Sequence, residues 1–147
     1  MTTLRAARST DAGKVGAILS EFVQTTAWMP RLHSGAEDIA HAGQLIAAGL
    51  VTVAEQKGKI VGFIATDGQD LDALYVAETA RRAGVGETLL THVRSQQDRI
   101  ELWTFQANTP AQQFYLKHGF VEVTRTDGVG NDEGLPDIRY SWQRKAQ

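Results

Sequence analysis

The fold of this chain is decided by the segment Arg81-Arg82-Ala83-Gly84-Val85-Gly86, which follows a predicted strand and opens a predicted helix. A helix N-terminus leaves N–H groups without acceptors and carries a partial positive charge, so it binds anions. Gly84 and Gly86 lack a Cβ atom, which lets the backbone approach a diphosphate closely. Arg81 and Arg82 add positive charge. The segment predicts a phosphate-binding turn. Taken alone, it is also compatible with a tight structural turn that carries two solvated arginines.

The spacing of this segment separates it from two other phosphate-binding loops. Arg-x-x-Gly-x-Gly is too short for a P-loop, which ends in Gly-Lys-Ser/Thr. It also lacks the third glycine of the Gly-x-Gly-x-x-Gly dinucleotide pattern. The segment is therefore a candidate diphosphate-binding turn that is neither a P-loop nor a dinucleotide-binding loop.

Apolar residues alternate in the segments predicted as strands and recur every three or four residues in those predicted as helices. The predicted strands are 3–7, 51–56, 60–66, 71–76, 100–105, 120–126 and 138–142. Four helices are predicted. The first begins after the N-cap candidates Ser9, Thr10 and Asp11, and the second runs from the Ser34/Glu37 capping box to Gly49. The third and fourth cover residues 85–97 and 110–118.

The connections between these elements predict the topology. Lys57-Gly58 and Asp67-Gly68 are typical hairpin turns, so residues 51–76 form an antiparallel meander. The strand, helix and strand within residues 71–105 predict parallel strands joined by a right-handed crossover. The fold class is therefore α+β, with a mixed, mostly antiparallel sheet of about seven strands flanked by about four helices. We expect a single domain over residues 1–147.

Composition excludes several classes of function. The chain has no cysteine, so it forms no disulfide, thiolate metal site or cysteine nucleophile. A net charge of −2 does not favour nucleic acid as a partner. The N-terminus does not resemble a signal peptide, and no apolar run approaches the roughly 20 residues that span a membrane. We expect a cytoplasmic protein with neither a nucleic-acid nor a membrane partner.

A second segment, Asn108 to Phe120, predicts a short helix that carries a tyrosine. Thr109 is the expected N-cap, Pro110 the first helical residue and Gly119 the residue just past the end. Tyr115 is either a core residue or a proton donor. A tyrosine with a pKa near ~10 can give a proton to a thiolate whose conjugate thiol has a pKa near ~8.5 at little cost.

The two segments together resemble the signature of the GCN5-related N-acetyltransferases. Val76-x-x-x-x-Arg81-x-x-Gly84-x-Gly86 resembles the pyrophosphate motif of that family, and Asn108-x-x-Ala111-x-x-Phe114-Tyr115-x-x-x-Gly119-Phe120 resembles its C-terminal motif. The order of the elements agrees over nearly the whole chain. One departure is Glu78, where many members have proline. The resemblance implies an enzyme that transfers an acetyl group from acetyl-CoA to a primary amine by direct attack in a ternary complex.

The resemblance also implies roles for individual residues. Arg81, Arg82, Ala83, Gly84, Val85 and Gly86 would hold the diphosphate of coenzyme A, Leu74, Tyr75 and Val76 would lie along its pantetheine arm, and Asn108 would bond to that arm. Tyr115 would protonate the departing thiolate. A homodimer is a further expectation from the family. Two alternatives stay open: a non-catalytic module that binds acyl-CoA, and an unrelated nucleotide-binding or interaction domain.

The acceptor side is less defined by the sequence. Asp70 and Asp72, expected on one strand face opposite Leu71 and Ala73, are candidates for the general base, as is Glu101. Each has a competing interpretation as a solvated surface carboxylate.

Two loops complete the expected acceptor side. Trp28, Arg31 and His33 lie in a loop that borders the acceptor site in the resembled family. No partner at metal-ligand spacing accompanies His33, so we expect no metal site. The acidic loop 127–137 is either solvated or a lid that lends negative potential to a cationic acceptor. Trp103 and Trp142 are expected in the core or in dimer contacts.

Overall fold

The structure of the protein is a computed structural model, which describes residues 1–145. The last two residues of the expected 1–147 domain lie outside the described part. Residues 1–145 form one seven-stranded sheet and four α-helices. The strands are β1 (Thr3–Ala6), β2 (Val51–Gln56), β3 (Lys59–Asp67), β4 (Asp70–Val76), β5 (Arg99–Phe105), β6 (Val121–Thr126) and β7 (Asp137–Gln143). The helices are α1 (Ala12–Thr25), α2 (Gly35–Ala47), α3 (Val85–Arg94) and α4 (Thr109–Lys117).

The sheet has the strand order β1-β2-β3-β4-β5-β7-β6. Neighbours β4 and β5 are parallel, and every other neighbouring pair is antiparallel. The expected meander and the parallel pair joined by a helix are both confirmed. The mixed, mostly antiparallel sheet with flanking helices confirms the predicted fold class.

The sheet separates two apolar cores because successive side chains of a strand point to opposite faces. Val53 and Phe63 belong to the cluster under α1 and α2, and their neighbours Ala54 and Ile64 belong to the cluster under α3 and α4. All four residues are almost completely buried. The result is a three-layer arrangement of helices, sheet and helices.

The strands β4 and β5 are joined only at their beginnings. Within residues 1–145, their single register pair is Asp70 with Glu101, and the Glu101 N–H donates to Gln69 O at 2.9 Å. Beyond that pair the two strands separate. This opening, which we call the gap, lies between the C-terminal halves of β4 and β5 and ends at Val76 and Phe105.

A β-bulge in β4 corrects one expectation about its faces. Ala65 pairs with Ala73 and the next residue, Thr66, pairs with Leu71, which leaves Asp72 as an extra residue in β4. A bulge reverses the alternation that follows it. Leu71 consequently packs under α3, whereas Ala73 packs under α1 and α2, so the prediction that both lie on one face is wrong.

Local signals mark most of the element boundaries correctly. The Ser34/Glu37 capping box is present, with Glu37 N–H donating to Ser34 Oγ at 3.1 Å. Lys57 and Gly58 both have positive φ, 52° and 75°, as a tight hairpin requires. The expected N-cap of α4 is wrong. Asn108 holds that position, and its Oδ1 accepts from Ala111 N–H at 3.2 Å.

The crossing of α1 and α2 depends on Gly16. A Cβ atom built there would lie 2.6 Å from Ile39 Cα, so alanine would push the two helices apart. We expect Gly16→Ala to lower the free energy of unfolding by about 1–3 kcal/mol, measured by urea denaturation. The control is Gly13→Ala in the same helix, where no heavy atom lies within 4 Å. It should be neutral or stabilise by up to about 1 kcal/mol. Equal stability of the two variants would contradict this account of the crossing.

Candidate active site

The N-terminus of α3 presents a row of free hydrogen-bond donors. Within residues 1–145, the N–H groups of residues 82–87 donate to no protein acceptor, and the first bonded amide is Thr88 N–H, which donates to Gly84 O at 3.0 Å. Arg82 and Gly84 both have positive φ, 67° and 79°, which turns successive amides toward the same side. Such a row of N–H groups binds anions, and the partial charge of the helix terminus favours them further.

The space and charge around these amides suit a diphosphate. A Cβ atom built on Gly84 meets no heavy atom within 4 Å, so the turn is open on that side. Arg82 is exposed, and Arg81 is held to the end of β4, where its Nε donates to Val76 O at 3.3 Å. Val85 is buried in the core and offers only its main chain. The diphosphate and pantetheine of coenzyme A therefore fit this turn and the adjoining gap.

The gap is bordered by main-chain groups of β4 that lack a strand partner. Ala77 N–H donates to Val61 O in the direction of β3 at 2.8 Å. Because main-chain groups alternate along a strand, those of Leu74 and Val76 face the gap. The Leu74 and Val76 side chains pack toward α3, and the Tyr75 side chain packs under α1. This edge can pair with an extended ligand as an additional strand would.

Tyr115 lies in α4 with its ring in the core. The ring centroid is 5.2 Å from that of Phe114 and 5.3 Å from that of Phe120, and the residue is 7% exposed. Within residues 1–145, the Tyr115 hydroxyl has no hydrogen-bond partner. Every fully buried side-chain polar atom in that range has a partner, so the Tyr115 oxygen is not fully buried and reaches solvent. Burial, and then the neighbouring Tyr75, raise the pKa of Tyr115. The phenol therefore keeps its proton at neutral and moderately alkaline pH.

Asn108 and Tyr75 lie on the two sides of the gap. Asn108 follows β5 and caps α4 through Oδ1, and its Nδ2 has no partner within residues 1–145. The ring of Tyr75 lies 4.9 Å from that of Phe22. Burial, and then the negative charge of Glu133, raise the pKa of Tyr75 to about 12. Both tyrosines are thus neutral donors.

The loop between α1 and α2 contributes one residue to this region. The ring of Trp28 lies 6.3 Å from Phe22 and 5.8 Å from Phe105 at the end of β5, so Trp28 borders the gap. Arg31 lies 3.8 Å from Asp38, and His33 lies 3.8 Å from Glu37. Arg31 and His33 are therefore tied to α2 in the present arrangement.

The three carboxylates expected as bases lie at different distances from the gap. Asp70 pairs with Arg139 at 3.7 Å and lies six residues before Val76, about 20 Å along the strand at ~3.3 Å per residue. The pKa of Glu101 is held low by Arg139 and Arg99. The pKa of Asp72 is raised, chiefly by burial and then by Asp70 and Asp67. Along β4, Asp72 lies two residues closer to Val76 than Asp70 does, and it lines a separate cavity with His41 and Tyr75.

A cavity of about 490 Å³ opens beside the end of β5. It is lined by Trp103 and Phe105 of β5, Thr126 of β6, Asn131 and Glu133 of the loop 127–137, and Asp137 of β7. The expectation that Trp103 lies in the core is wrong, because it is 47% exposed and forms a wall of this cavity. The alternative expectation, a dimer contact, stays a prediction. Phe105 was missed, although strand alternation places it on the same face as Trp103.

Neither a membrane-spanning helix nor a metal-binding cluster is present in the described part of the chain. None of its helices combines the length and the apolar character that crossing a membrane requires. Residues 1–145 also contain no group of three or more histidine and carboxylate side chains arranged to hold a metal ion.

Comparison with known proteins adds a family and several relatives. A family model for the acetyltransferase (GNAT) domain matches residues 47–122. The peptidyl-lysine N-acetyltransferase YiaC of Escherichia coli K12 is 38% identical over 90 residues, which cover 60% of this chain and 60% of YiaC. The peptidyl-lysine N-acetyltransferase YjaB of the same organism is 30% identical over 95 residues, which cover 63% of this chain and 65% of YjaB. The chain thus matches less than two thirds of the length of either relative.

Solved structures share the fold over nearly the whole chain. The apo form of YjaB from Escherichia coli superposes with a TM-score of 0.81 at 23% identity, covering 99% of both chains. The yncA protein of Salmonella typhimurium, solved with acetyl-CoA, gives a TM-score of 0.76 at 19% identity and covers 100% of this chain and 96% of its own. At these identities the likeness establishes the fold.

Proposed function

The chain belongs to the GCN5-related N-acetyltransferase (GNAT) family, and from that premise we propose that it transfers an acetyl group from acetyl-CoA to a primary amine within a ternary complex. The observation that carries the proposal is the row of six free N–H groups at residues 82–87, next to a gap between parallel strands. A diphosphate and an extended arm are the two parts of a ligand that this combination accepts. Coenzyme A contains both.

The cofactor contacts follow from the free groups around the gap. The main-chain N–H groups of residues 82–86 hold the diphosphate, and the Arg82 side chain adds charge to it. Leu74 and Val76 offer main-chain groups to the amide groups of the pantetheine arm. The free Nδ2 of Asn108 donates to that arm from the opposite side. The main chain of Tyr75 pairs with β3, so this residue contributes to the wall of the gap only through its side chain.

Acetyl-CoA supplies an acetyl group activated as a thioester. In the transfer, a C–N bond forms and a C–S bond breaks, the amine gives up one proton and the sulfur accepts one. A main-chain N–H of β4 at the gap stabilises the negative charge that develops on the acetyl oxygen. The Tyr115 hydroxyl donates the proton to sulfur and is reprotonated from solvent. The proton balance closes without a metal ion.

Burial affects both partners in the proton transfer, the Tyr115 phenol and the sulfur of coenzyme A. The raised pKa of Tyr115 makes it a weaker acid than a free phenol. The sulfur, however, would lie in the same desolvated gap, and burial raises the pKa of a thiol as well. Both pKa values rise. The difference between the pKa of Tyr115 and that of the thiol, which controls the proton transfer, therefore changes less than either pKa.

On the acceptor side we propose the side-chain amine of a lysine, the acceptor class in the names of YiaC and YjaB. The amine must lose a proton before it attacks, because an alkylammonium has a pKa near ~10. Asp72 is better placed to receive that proton than Asp70, because it lies nearer to the end of β4. Its raised pKa makes it a stronger base than an ordinary aspartate. Trp28 borders the same space.

Thermal unfolding with acetyl-CoA, coenzyme A and ATP tests the proposal. A ligand present at 100 times its dissociation constant stabilises by about 2.7 kcal/mol. For a domain of this size we expect Tm to rise by about 5–10 °C with acetyl-CoA and with coenzyme A, but not with ATP. Release of coenzyme A in the presence of a lysine peptide then separates an enzyme from a module that only binds the cofactor. No shift with any of the three ligands would contradict the proposal.

A further inference from the structure

The cavity beside β5 lies on the acceptor side of the gap. Phe105 lines the cavity at the last residue of β5, and its ring also contacts Trp28. Glu133, on another wall, lies near enough to Tyr75 of β4 for its charge to affect that phenol. The cavity is therefore adjacent to the end of β4, where the acetyl group would lie under the proposed function.

The walls of the cavity carry negative charge. Glu133 and Asp137 both line it, and among residues 1–145 no lysine, arginine or histidine lines it. Asp137 is 9% exposed and accepts hydrogen bonds from the Thr126 hydroxyl and from Asn131 Nδ2, so its carboxylate holds the loop in place. Within residues 1–145, Glu133 forms no ion pair and no side-chain hydrogen bond. Its carboxylate is available to a ligand.

A basic residue beside the aromatic wall, Arg139, is already engaged. The Arg139 guanidinium lies 5.3 Å from the ring centre of Trp103, forms an ion pair with Glu101, and lies 3.7 Å from Asp70. This ion-pair network fixes the wall and neutralises Arg139. Trp103 and Phe105 then present aromatic surface to the cavity, which suits the methylene groups of an alkylamine.

We propose that this cavity is the acceptor pocket and that Glu133 selects an acceptor arm that carries a positive charge. This inference rests on the proposed function and deepens it. A volume of about 490 Å³ is within the usual range for a small-ligand site and accommodates an arm of lysine size. The aromatic walls bind the methylene groups, and the Glu133 carboxylate binds the ammonium before it loses its proton. An acceptor of the same shape without charge binds more weakly.

Binding of two matched probes tests the selection without any transfer reaction. Nα-acetyl-lysine amide carries a side-chain ammonium, and Nα-acetyl-norleucine amide has a side chain of similar length without the charge. Their dissociation constants are measured by NMR from the Trp103 indole N–H and the loop amides of the full-length protein. We expect the lysine probe to bind about ten-fold more tightly than the norleucine probe. Glu133→Gln should reduce that ratio to less than about three-fold.

The matched control is Asp132→Asn, which removes one negative charge from the same loop at an exposed residue that does not line the cavity. It should leave the ratio unchanged, and the ratio in the unchanged protein should fall as salt is added. Equal binding of the two probes, no binding of either, or a Glu133→Gln protein with the original ratio would each overturn the inference. Because no acetyl-CoA is present, failure of acetyl transfer is a separate result that concerns the proposed function.

Discussion

Replacing Tyr115 with phenylalanine lowers kcat by about 100-fold or more if this hydroxyl protonates the departing sulfur, since general acid catalysis contributes about 10²–10⁴-fold. The dissociation constant for acetyl-CoA should change by less than about three-fold, because the amides of residues 82–87 are untouched. Folding should be preserved. The ring keeps its contacts with Phe114 and Phe120, and the hydroxyl has no protein partner to lose within residues 1–145.

Steady-state kinetics with a lysine peptide and calorimetric titration with acetyl-CoA measure the two quantities. Tyr140→Phe is the control, because it removes the hydroxyl of another buried tyrosine on the same side of the sheet. The kcat of this variant should stay within about two-fold of the original value, because Tyr140 lies outside the proposed path of the proton. A Tyr115→Phe enzyme with an unchanged kcat would refute the assignment of the acid.

The pH dependence provides an independent check on Tyr115. Burial raises the pKa of this phenol, so its protonated, active form persists above the usual tyrosine value. The kcat of the original protein should therefore show no fall attributable to Tyr115 below about pH 10. A falling limb near neutral pH that disappears in Tyr115→Phe would contradict the raised pKa.

The second large effect is expected at Gly84, where aspartate should weaken acetyl-CoA binding by about 100-fold. Two like unit charges about 4 Å apart repel each other by ~4 kcal/mol at an effective dielectric constant near 20. The diphosphate carries more than one negative charge. Asparagine at the same position is the matched control, with the same size and no charge. Both residues tolerate positive φ better than other side chains, which matters at φ 79°.

Calorimetric titration of both variants separates the charge from the shape of the side chain. We expect Gly84→Asn to weaken binding by about ten-fold or less, and the excess loss in Gly84→Asp to shrink as salt rises. Without ligand, the two variants should unfold within a few degrees of each other, since a Cβ atom at Gly84 meets no neighbour within 4 Å. Equal affinities of the two variants would show that the diphosphate lies elsewhere.

Much of the fold follows from local sequence signals. Alternating apolar residues predict all seven strands to within about two residues, and the pairs Lys57-Gly58 and Ser34/Glu37 mark a turn and a helix start correctly. Asn108 shows the limit of such signals. Asparagine and threonine both cap helices well, so the choice between Asn108 and Thr109 depends on where the chain leaves β5.

The bulge at Asp72 shows a second limit. The alternation of β4 predicts Leu71 and Ala73 on one face, and nothing in the segment itself marks an extra residue. Its position depends on the register with β3, which is set by packing on both faces of the sheet. The bulge alters which side chains accompany Asp72, the carboxylate that we propose as the base, on the side of the sheet that faces α1 and α2.

The sequence by itself determined the antiparallel meander, the parallel pair and the family, and it predicts the phosphate-binding turn. Those features depend on backbone preferences and on patterns within a few residues, such as positive φ at Gly84 and the amides of α3. Only the tertiary structure decided the cavity that we propose as the acceptor pocket. Trp28 meets Phe105, and Glu133 approaches Tyr75, because separate elements pack around one gap. A cavity is the space left between distant segments, and no local pattern in the sequence encodes that space.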